Sequence, residues 1–282
     1  MFCTNCGKNL EDSQAGFCPG CGAPTGAVRD HFRDQFAGNP EASGSARLTV
    51  PWRGGQVAWG LLYLGFGVFG LLLIAGIILL LTNDLDQILF AWSSSLLLGL
   101  VILFIVWYLG LRPTGAAVAL LGLRPTSIPA GPAILWTIGA LVLSFASTFL
   151  YSTIIERIGL DWLLPPDIFT DIVFDRSEVV LTFMALALWT PLTEELFFRG
   201  FVFAGLVRRL GVTGAAVTSA IIFSAIHIEP GVLIPIFITG LLLAWLYYRT
   251  GSLWPSIAAH AGQNGAALLA TIYGPTLSLG SI

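Results

Sequence analysis

The chain is built from long apolar runs separated by short polar segments. A helix needs roughly 20 apolar residues to cross the ~30 Å hydrocarbon core of a bilayer. Seven runs approach or exceed this length. We therefore predict an all-α polytopic membrane protein with a bundle of about seven transmembrane helices. The predicted spans are Val57–Leu81, Ile88–Leu111, Ala133–Ile155, Val179–Val207, Val212–Ile228, Val232–Tyr248 and Trp254–Tyr273.

The predicted spans differ in length. Val179–Val207 is too long to stand upright in the bilayer, so it should tilt or project from it. The fifth and sixth spans are short, and we expect them to be tilted or half-buried neighbours of a functional site. Two other segments are too short to count as spans. We expect Thr114–Leu123 at the cytoplasmic interface and Leu160–Phe174, with its Trp162, as an anchor at the outer interface.

Composition supports the membrane assignment. Hydrophobic residues make up 56% of the 282 residues and charged residues only 10%, whereas soluble domains usually carry about 25% charged residues. The high apolar content excludes disorder over most of the chain. The net charge of −3 offers no broad basic surface, so we expect membrane lipids rather than nucleic acid as partners.

Charge in the loops predicts the orientation in the cell membrane. Acidic residues dominate the loops after the first and third spans, and arginines lie before the first span and after the second, fourth and sixth. The positive-inside rule then places the N-terminus in the cytoplasm and the C-terminus outside. The arginines on the predicted cytoplasmic side are Arg47, Arg53, Arg112, Arg124, Arg208, Arg209 and Arg249.

The first fifty residues differ from the rest of the chain. We predict a small metal-binding module at 1–25, a flexible Gly/Ser/Pro-rich linker at 26–50 and a membrane domain at 51–282, with a catalytic core at about 179–273. A cysteine cluster stands where a signal peptide would have its basic and apolar regions. We therefore expect no cleavable signal peptide and expect the first span to direct insertion.

The cysteines form two knuckles, Cys3-x-x-Cys6 and Cys18-x-x-Cys21, each followed by glycine. Four thiolates suit a closed tetrahedral site for structural zinc, and so short a module needs the metal in order to fold. Two disulfides, or iron in a rubredoxin-like site, are the alternatives, although a reducing cytoplasm disfavours disulfides. Such a zinc ribbon could dock a cytoplasmic protein partner or merely cap the terminus.

The fourth predicted span contains three charged residues, Glu194, Glu195 and Arg199. Charged residues are rare and costly inside membranes, at roughly 2.5–3.5 kcal/mol each on insertion scales, and they usually mark function. Glu195 and Arg199 are four residues apart on one helix face, which predicts an ion pair. Glu194 points about 100° away from Glu195 and has no local cation.

Three further polar residues occur at the end of the fifth span and in the seventh: His227, His260 and Asn264. At ~1.5 Å per residue, Glu194 and these three residues lie roughly 9–22 Å from the cytoplasmic ends of their helices. We therefore expect them to meet in one cavity open to the cytoplasm. Each histidine alone could be a structural interhelical hydrogen-bonding group.

This set of residues suits hydrolysis by an activated water. A carboxylate beside an imidazole can take a proton from water, while a second histidine and an amide can stabilise an oxyanion. The sequence contains no Gly-x-Ser-x-Gly motif, no His-Glu-x-x-His motif and no cysteine within the predicted spans. Two histidines and a glutamate could still bind zinc.

Three motifs in order resemble one protein family: Glu194-Glu195-x-x-x-Arg199, Phe223-x-x-x-His227 and His260-x-x-x-Asn264. They are similar to the signatures of the CAAX protease and bacteriocin-processing (CPBP, or ABI) intramembrane proteases. The segment Tyr247–Ile257 also looks typical of bacterial members, and the cysteine module resembles a zinc-ribbon domain found ahead of bacterial membrane proteins.

The resemblance implies an intramembrane endopeptidase and a role for each polar residue. Glu194 would activate water with help from His227, His260 and Asn264 would form the oxyanion hole, and Glu195 and Arg199 would position the site. Family members are described both as metalloproteases and as metal-free proteases. The residues favour the metal-free form, because Asn264 is a poor metal ligand.

The substrate remains open among membrane-associated proteins or peptides. Family members cleave prenylated C-terminal tails, or process or resist bacteriocins. The alternatives are a catalytically silent scaffold or bacteriocin-immunity protein, a zinc-dependent form of the same protease, and a proton-coupled transporter that uses Glu194 and His227 as a relay.

Overall fold

The protein is described by a computed structural model that covers residues 48, 50–84, 86–165 and 176–279. The predicted zinc ribbon at 1–25 and nearly all of the linker at 26–50 lie outside these residues. Within the described ranges all regular structure is helical. The α-helices are α1 Gly54–Thr82, α2 Gln87–Ile105, α3 Ala130–Ile158, α4 Arg176–Thr182, α5 Thr190–Glu195, α6 Ala204–Ala225, α7 Leu233–Thr250 and α8 Trp254–Leu279.

Three π-helical segments continue or join these helices. Segment π1 (Val106–Leu111) extends α2, π2 (Phe183–Trp189) joins α4 to α5, and π3 (Leu196–Phe203) joins α5 to α6. Helix α5, which carries both glutamates, is therefore enclosed between two π segments. Such segments often mark functional sites.

Five helical stretches among the described residues are long and apolar enough to cross a membrane. They confirm the predicted polytopic helical membrane fold, and their apolar side chains face outward, as Phe149 and Leu80 do at 75% and 80% exposure. The seventh predicted span lies on α8, and the count of seven remains a prediction. The five stretches are Gly54–Thr82, Leu89–Thr114, Ala130–Ile158, Val179–Ala225 and Pro230–Thr250.

The stretch Val179–Ala225 contains the fourth predicted span and most of the fifth. Gly211 interrupts it with φ 67° and ψ 175°, a positive φ that glycine adopts readily. Phe198, before Gly211, accepts a hydrogen bond from Ser219 through its carbonyl and packs against the ring of Phe223. The chain therefore reverses near Gly211, and α6 packs back along π3.

Segment π3 forms the centre of the protein, because all eight of its residues are buried. Phe197 packs against Phe198 and Phe201, and Trp52 donates an indole hydrogen bond to the Phe201 carbonyl at 2.9 Å. Burial on every side explains why this segment carries four phenylalanines without a polar face. Glu194, Glu195 and Arg199 are held by this densely packed core.

The two segments predicted to lie at the membrane interfaces also pack on the protein. In the first, Leu120 and Leu121 are buried, and the Leu121 carbonyl lies so close to Gly200 that a β-carbon there would approach it to 2.8 Å. The second is described only as far as Pro165. There Tyr151 donates to the Leu163 carbonyl at 2.9 Å, and Trp162 stays exposed.

The turn between α7 and α8 is fixed from one side by residues 122–127. Leu253 donates its N–H to the Gly122 carbonyl at 2.9 Å, and Arg124 Nε donates to the Gly251 carbonyl at 2.8 Å. The Ser252 hydroxyl donates in turn to the Arg124 carbonyl at 2.6 Å. These bonds set where α8 begins, and hence the depth of His260 and Asn264.

Candidate active site

Glu195 and Arg199 form the ion pair that their spacing predicts. Arg199 Nη1 lies 2.7 Å from Glu195 Oε1, and both side chains are fully buried. Arg199 Nη2 also donates to the Gly240 carbonyl at 3.2 Å, and the guanidinium lies 4.4 Å from the centre of the Phe223 ring. Glycine suits position 240, because a β-carbon there would come within 3.0 Å of Ala220 on α6.

His260 lies between the two glutamates. Its Nδ1 is 3.0 Å from Glu195 Oε1, and its Nε2 is 3.7 Å from Glu194 Oε2. Because Glu195 also receives a hydrogen bond from Arg199, it acts as an acceptor, and Nδ1 of His260 is the donor. The result is one chain of polar groups in the order Arg199, Glu195, His260 and Glu194.

The sequence-based expectation places His227 beside Glu194 and lets His260 work with Asn264; the structure adds a contact of His260 with both glutamates. The physical reason is helical geometry. Successive residues on α5 point about 100° apart, so one imidazole from α8 inserted between them approaches both carboxylates, one through each ring nitrogen. Sequence spacing within α5 cannot reveal a ring contributed by another helix.

His227 lies just beyond the end of α6, and its Nδ1 donates to the Phe223 carbonyl at 2.8 Å. Its second nitrogen, Nε2, is therefore the one that remains able to accept a hydrogen bond. The Phe223 ring contacts both imidazoles, with ring centres 5.1 Å from His227 and 5.7 Å from His260. Among the described side chains, no ion pair or hydrogen bond joins His227 to Glu194.

Asn264 lies one turn beyond His260 on the same face of α8. Its Nδ2 donates to the Leu186 carbonyl at 2.9 Å, across from α8 to π2. The neighbouring Gln263 accepts a hydrogen bond from Ser144 at 2.9 Å, and Ser144 pairs with Thr239 at 2.6 Å. The sequence motifs do not single out Gln263, Ser144 or Thr239, which tie α8 to α3 and α7.

A groove of about 480 Å³ lies between α2 and the π2–α5 segment and includes Glu194 in its wall. Ser94, Ser95, Thr190 and Thr193 contribute hydroxyls, and Ser95 and Thr190 are hydrogen-bonded at 2.7 Å. Glu194 is 8% exposed, whereas Glu195 is completely buried and does not reach the groove. The two histidines and Asn264 are not in its wall, so the groove leads to Glu194 alone. Its remaining wall is apolar: Phe90, Ala91, Leu98, Gly99, Ile102 and Leu186.

Among the described residues, no three His, Cys, Asp or Glu side chains are placed so that they could hold a metal ion together; Glu194 and Glu195 approach His260 at different ring nitrogens. Glu195 is already engaged by Arg199 and His260. We therefore derive no catalytic step through a metal. The four cysteines predicted to bind zinc lie outside the described ranges.

Comparison with known proteins agrees with the location of this site. Residues 176–266 match the family model of the Rce1-like type II CAAX prenyl endopeptidases. The "Putative membrane peptidase YdiL" of Bacillus subtilis (strain 168) is 29% identical over 96 residues, which are 34% of this chain and 39% of that protein. The "UPF0177 protein YxdF" of Lactococcus lactis is 20% identical over 132 residues, which are 46% of this chain and 73% of that protein.

No solved structure matches the chain. The match to the first of these relatives covers well under half of that protein's length. The matched family segment nevertheless includes all six polar residues of the predicted site, from Glu194 to Asn264. Residues 176–266 are therefore similar to the Rce1-like type II CAAX prenyl endopeptidases.

Proposed function

We propose that this protein is an intramembrane endopeptidase in which Glu194 activates the water that hydrolyses a peptide bond. The observation that carries the proposal is the different environment of the two neighbouring carboxylates. Glu195 is fully buried between Arg199 and His260, whereas Glu194 forms no ion pair with an arginine within the described part of the chain and lines an open groove. Of the two, only Glu194 is placed to meet both water and a substrate.

The reaction follows from these positions. Glu194 accepts a proton from water, and the hydroxide oxygen adds to the carbonyl carbon of the substrate. The protonated Glu194 then returns the proton to the amide nitrogen as the carbon–nitrogen bond breaks. The Nε2 of His227 supports this step as an acceptor for the second proton of the same water, which would bridge the two side chains.

His260 acts from the other side of Glu194. Glu195 accepts its Nδ1–H, so the free Nε2 faces Glu194. The histidine of the serine-protease triad is oriented by a carboxylate in the same way. An imidazolium form of His260, which would take its second proton from solvent before the substrate binds and keep it throughout, would offer an Nε2–H to the oxyanion, while the proton of the attacking water stays on Glu194 until it passes to the amide nitrogen. Asn264 supplies a second donor, because its amide has two N–H groups and only one is given to Leu186.

The groove supports entry of the substrate from the side of the bundle. Its apolar wall suits a membrane-associated segment. Its hydroxyls already donate to helix carbonyls or to each other, so their oxygens can accept hydrogen bonds from the N–H groups of an extended backbone that is not paired in a helix. We propose that the substrate is a membrane-associated protein or peptide whose cleavage site unwinds within this groove. A prenylated C-terminal tail, suggested by the description of the similar family, is one such substrate.

The test compares membranes that contain the wild-type protein or the Glu194→Gln variant. New protein N-termini should appear in the wild-type membranes and should be absent with the variant, which retains the size of the side chain but cannot accept a proton. Detergent-solubilised protein is then given peptides with and without a prenyl group. Equal cleavage by wild type and variant would overturn the role of Glu194, and no cleavage by either would favour the scaffold or immunity alternative.

A further inference from the structure

Pro191 lies in the first turn of α5, where π2 ends. At this junction the backbone N–H of Thr190 donates to the carbonyl of Ala185, five residues earlier. In the same register, the Leu186 carbonyl would receive the N–H of residue 191. That residue is proline and has no N–H.

The Leu186 carbonyl also lacks its partner in ordinary α-helical register. That partner would be the N–H of Thr190, which is already given to Ala185. The carbonyl is therefore left available to a donor from outside its own helix. The carbonyl is partly buried, where lack of a partner is costly, and Asn264 Nδ2 satisfies it at 2.9 Å.

We propose that Pro191 is a positioning residue for Asn264. By withholding an N–H from Leu186, Pro191 reserves that carbonyl for the Asn264 amide. One N–H of the planar amide is then held, so the direction of the other N–H is restricted. This second N–H is the donor assigned to the oxyanion, and the catalytic part of this inference therefore rests on the proposed protease function.

Replacing Pro191 with alanine supplies the missing N–H. The new backbone N–H can then donate to the Leu186 carbonyl in π register and compete with Asn264. If Pro191 acts through Asn264, it has nothing to position once Asn264 is removed. A double-mutant cycle measures this dependence directly.

The first experiment measures peptide cleavage by Pro191→Ala, Asn264→Ala and the double variant in detergent. We expect Asn264→Ala to lower kcat by ~10²–10³-fold, as for the loss of one oxyanion donor. Pro191→Ala should lower kcat by a smaller factor with KM unchanged, and the double variant should be no slower than Asn264→Ala. Multiplying losses in the double variant would overturn the proposal, because Pro191 would then act by another route.

The second experiment needs no activity, so it separates this inference from the proposed function. Asn264→Ala should lower the melting temperature by about 2–4 °C in the wild-type background, since it leaves the Leu186 carbonyl unpaired. In the Pro191→Ala background the same change should cost clearly less, because the alanine introduced there supplies the replacement N–H. Equal shifts in both backgrounds would overturn the coupling even in a fully active enzyme.

Pro132 provides the matched control. It is exposed in the first turn of α3, where the carbonyl four residues earlier, that of Ile128, already accepts from the Thr126 hydroxyl. Pro132→Ala should leave both kcat and the Asn264→Ala stability shift unchanged, and a change equal to that of Pro191→Ala would contradict the proposal. If Pro191→Ala does not fold, Pro191→Ser supplies the same N–H and is judged by the same two cycles.

Discussion

At the scale of single residues, the neighbouring side chains of Glu194 and Glu195 are chemically identical but lie in different surroundings. Glu195 accepts hydrogen bonds from Arg199 at 2.7 Å and from His260 at 3.0 Å, with no exposed surface. Among the described residues, Glu194 is approached by His260 at 3.7 Å, and it lines the groove. We therefore propose that Glu195 holds the site together and that Glu194 carries out the chemistry.

Glutamine substitution should distinguish these roles. Glu195→Gln leaves Arg199 without its buried counter-charge, and breaking a buried pair in this way typically costs about 3–5 kcal/mol. We expect a lower yield and melting temperature together with reduced cleavage. Glu194→Gln should abolish cleavage with little change in melting temperature, and it serves as the matched control. An active Glu194→Gln beside a folded but inactive Glu195→Gln would reverse the two assignments.

At the scale of helices, the proposed substrate groove depends on how α2 faces the π2–α5 segment. Gly99 allows close contact, since a β-carbon there would collide with the indole of Trp189, which donates to the Ser95 carbonyl at 3.1 Å. The groove opens beside this contact point. The width of the groove is therefore set by the packing of α2. Of two adjacent residues on α2, one can line the groove while the other faces away from it.

Two neighbouring serines on α2 test the groove as the route of the substrate. Ser94 lines the groove, whereas Ser93 is exposed on the outer face and donates to the Leu89 carbonyl of its own helix. Ser94→Trp should fill the groove and strongly raise KM or abolish cleavage of a membrane-associated substrate. Ser93→Trp should retain near-normal cleavage in the same assay. Equal activity of the two variants would show that the substrate reaches Glu194 by another path.

At the scale of the whole molecule, two predicted parts are connected by a linker. The membrane domain folds around buried π3, and its outer helices present apolar side chains such as Phe66 and Leu135 outward. The N-terminal cysteine module shares none of this composition and is predicted to depend on its own metal. Its metal and the chemistry at Glu194 should therefore be separable by experiment.

We expect the purified protein to contain one zinc ion, bound by Cys3, Cys6, Cys18 and Cys21. Changing these four cysteines to serine should remove the zinc but leave peptide cleavage in detergent measurable. A chelator added to that variant should not abolish cleavage, and if it does, the zinc-dependent form of the protease is correct. After the zinc is removed from the wild-type protein, thiol reagents should label its cysteines only from the cytoplasmic side. Labelling from outside would contradict the predicted orientation.

The sequence alone determined the features that depend on local rules. Apolar length predicts helical membrane segments because every backbone polar group in lipid must be bonded within its own segment. Four-residue spacing predicts the pairing of Glu195 with Arg199, because residues four apart are neighbours on a helix surface. The three motifs likewise indicated the part of the chain that the family model matches, residues 176–266.

Only the tertiary structure decided how groups from different helices meet. Insertion of His260 between Glu194 and Glu195 depends on where α8 packs, which no spacing within α5 expresses. The bond from Asn264 to the Leu186 carbonyl depends further on the π register at Thr190. The sequence does contain a local signal, a proline five residues after Leu186, which leaves the Leu186 carbonyl without a partner in its own helix. That signal does not identify the donor, because an unpaired acceptor does not specify its partner. Only the packing of α8 shows that the donor is Asn264.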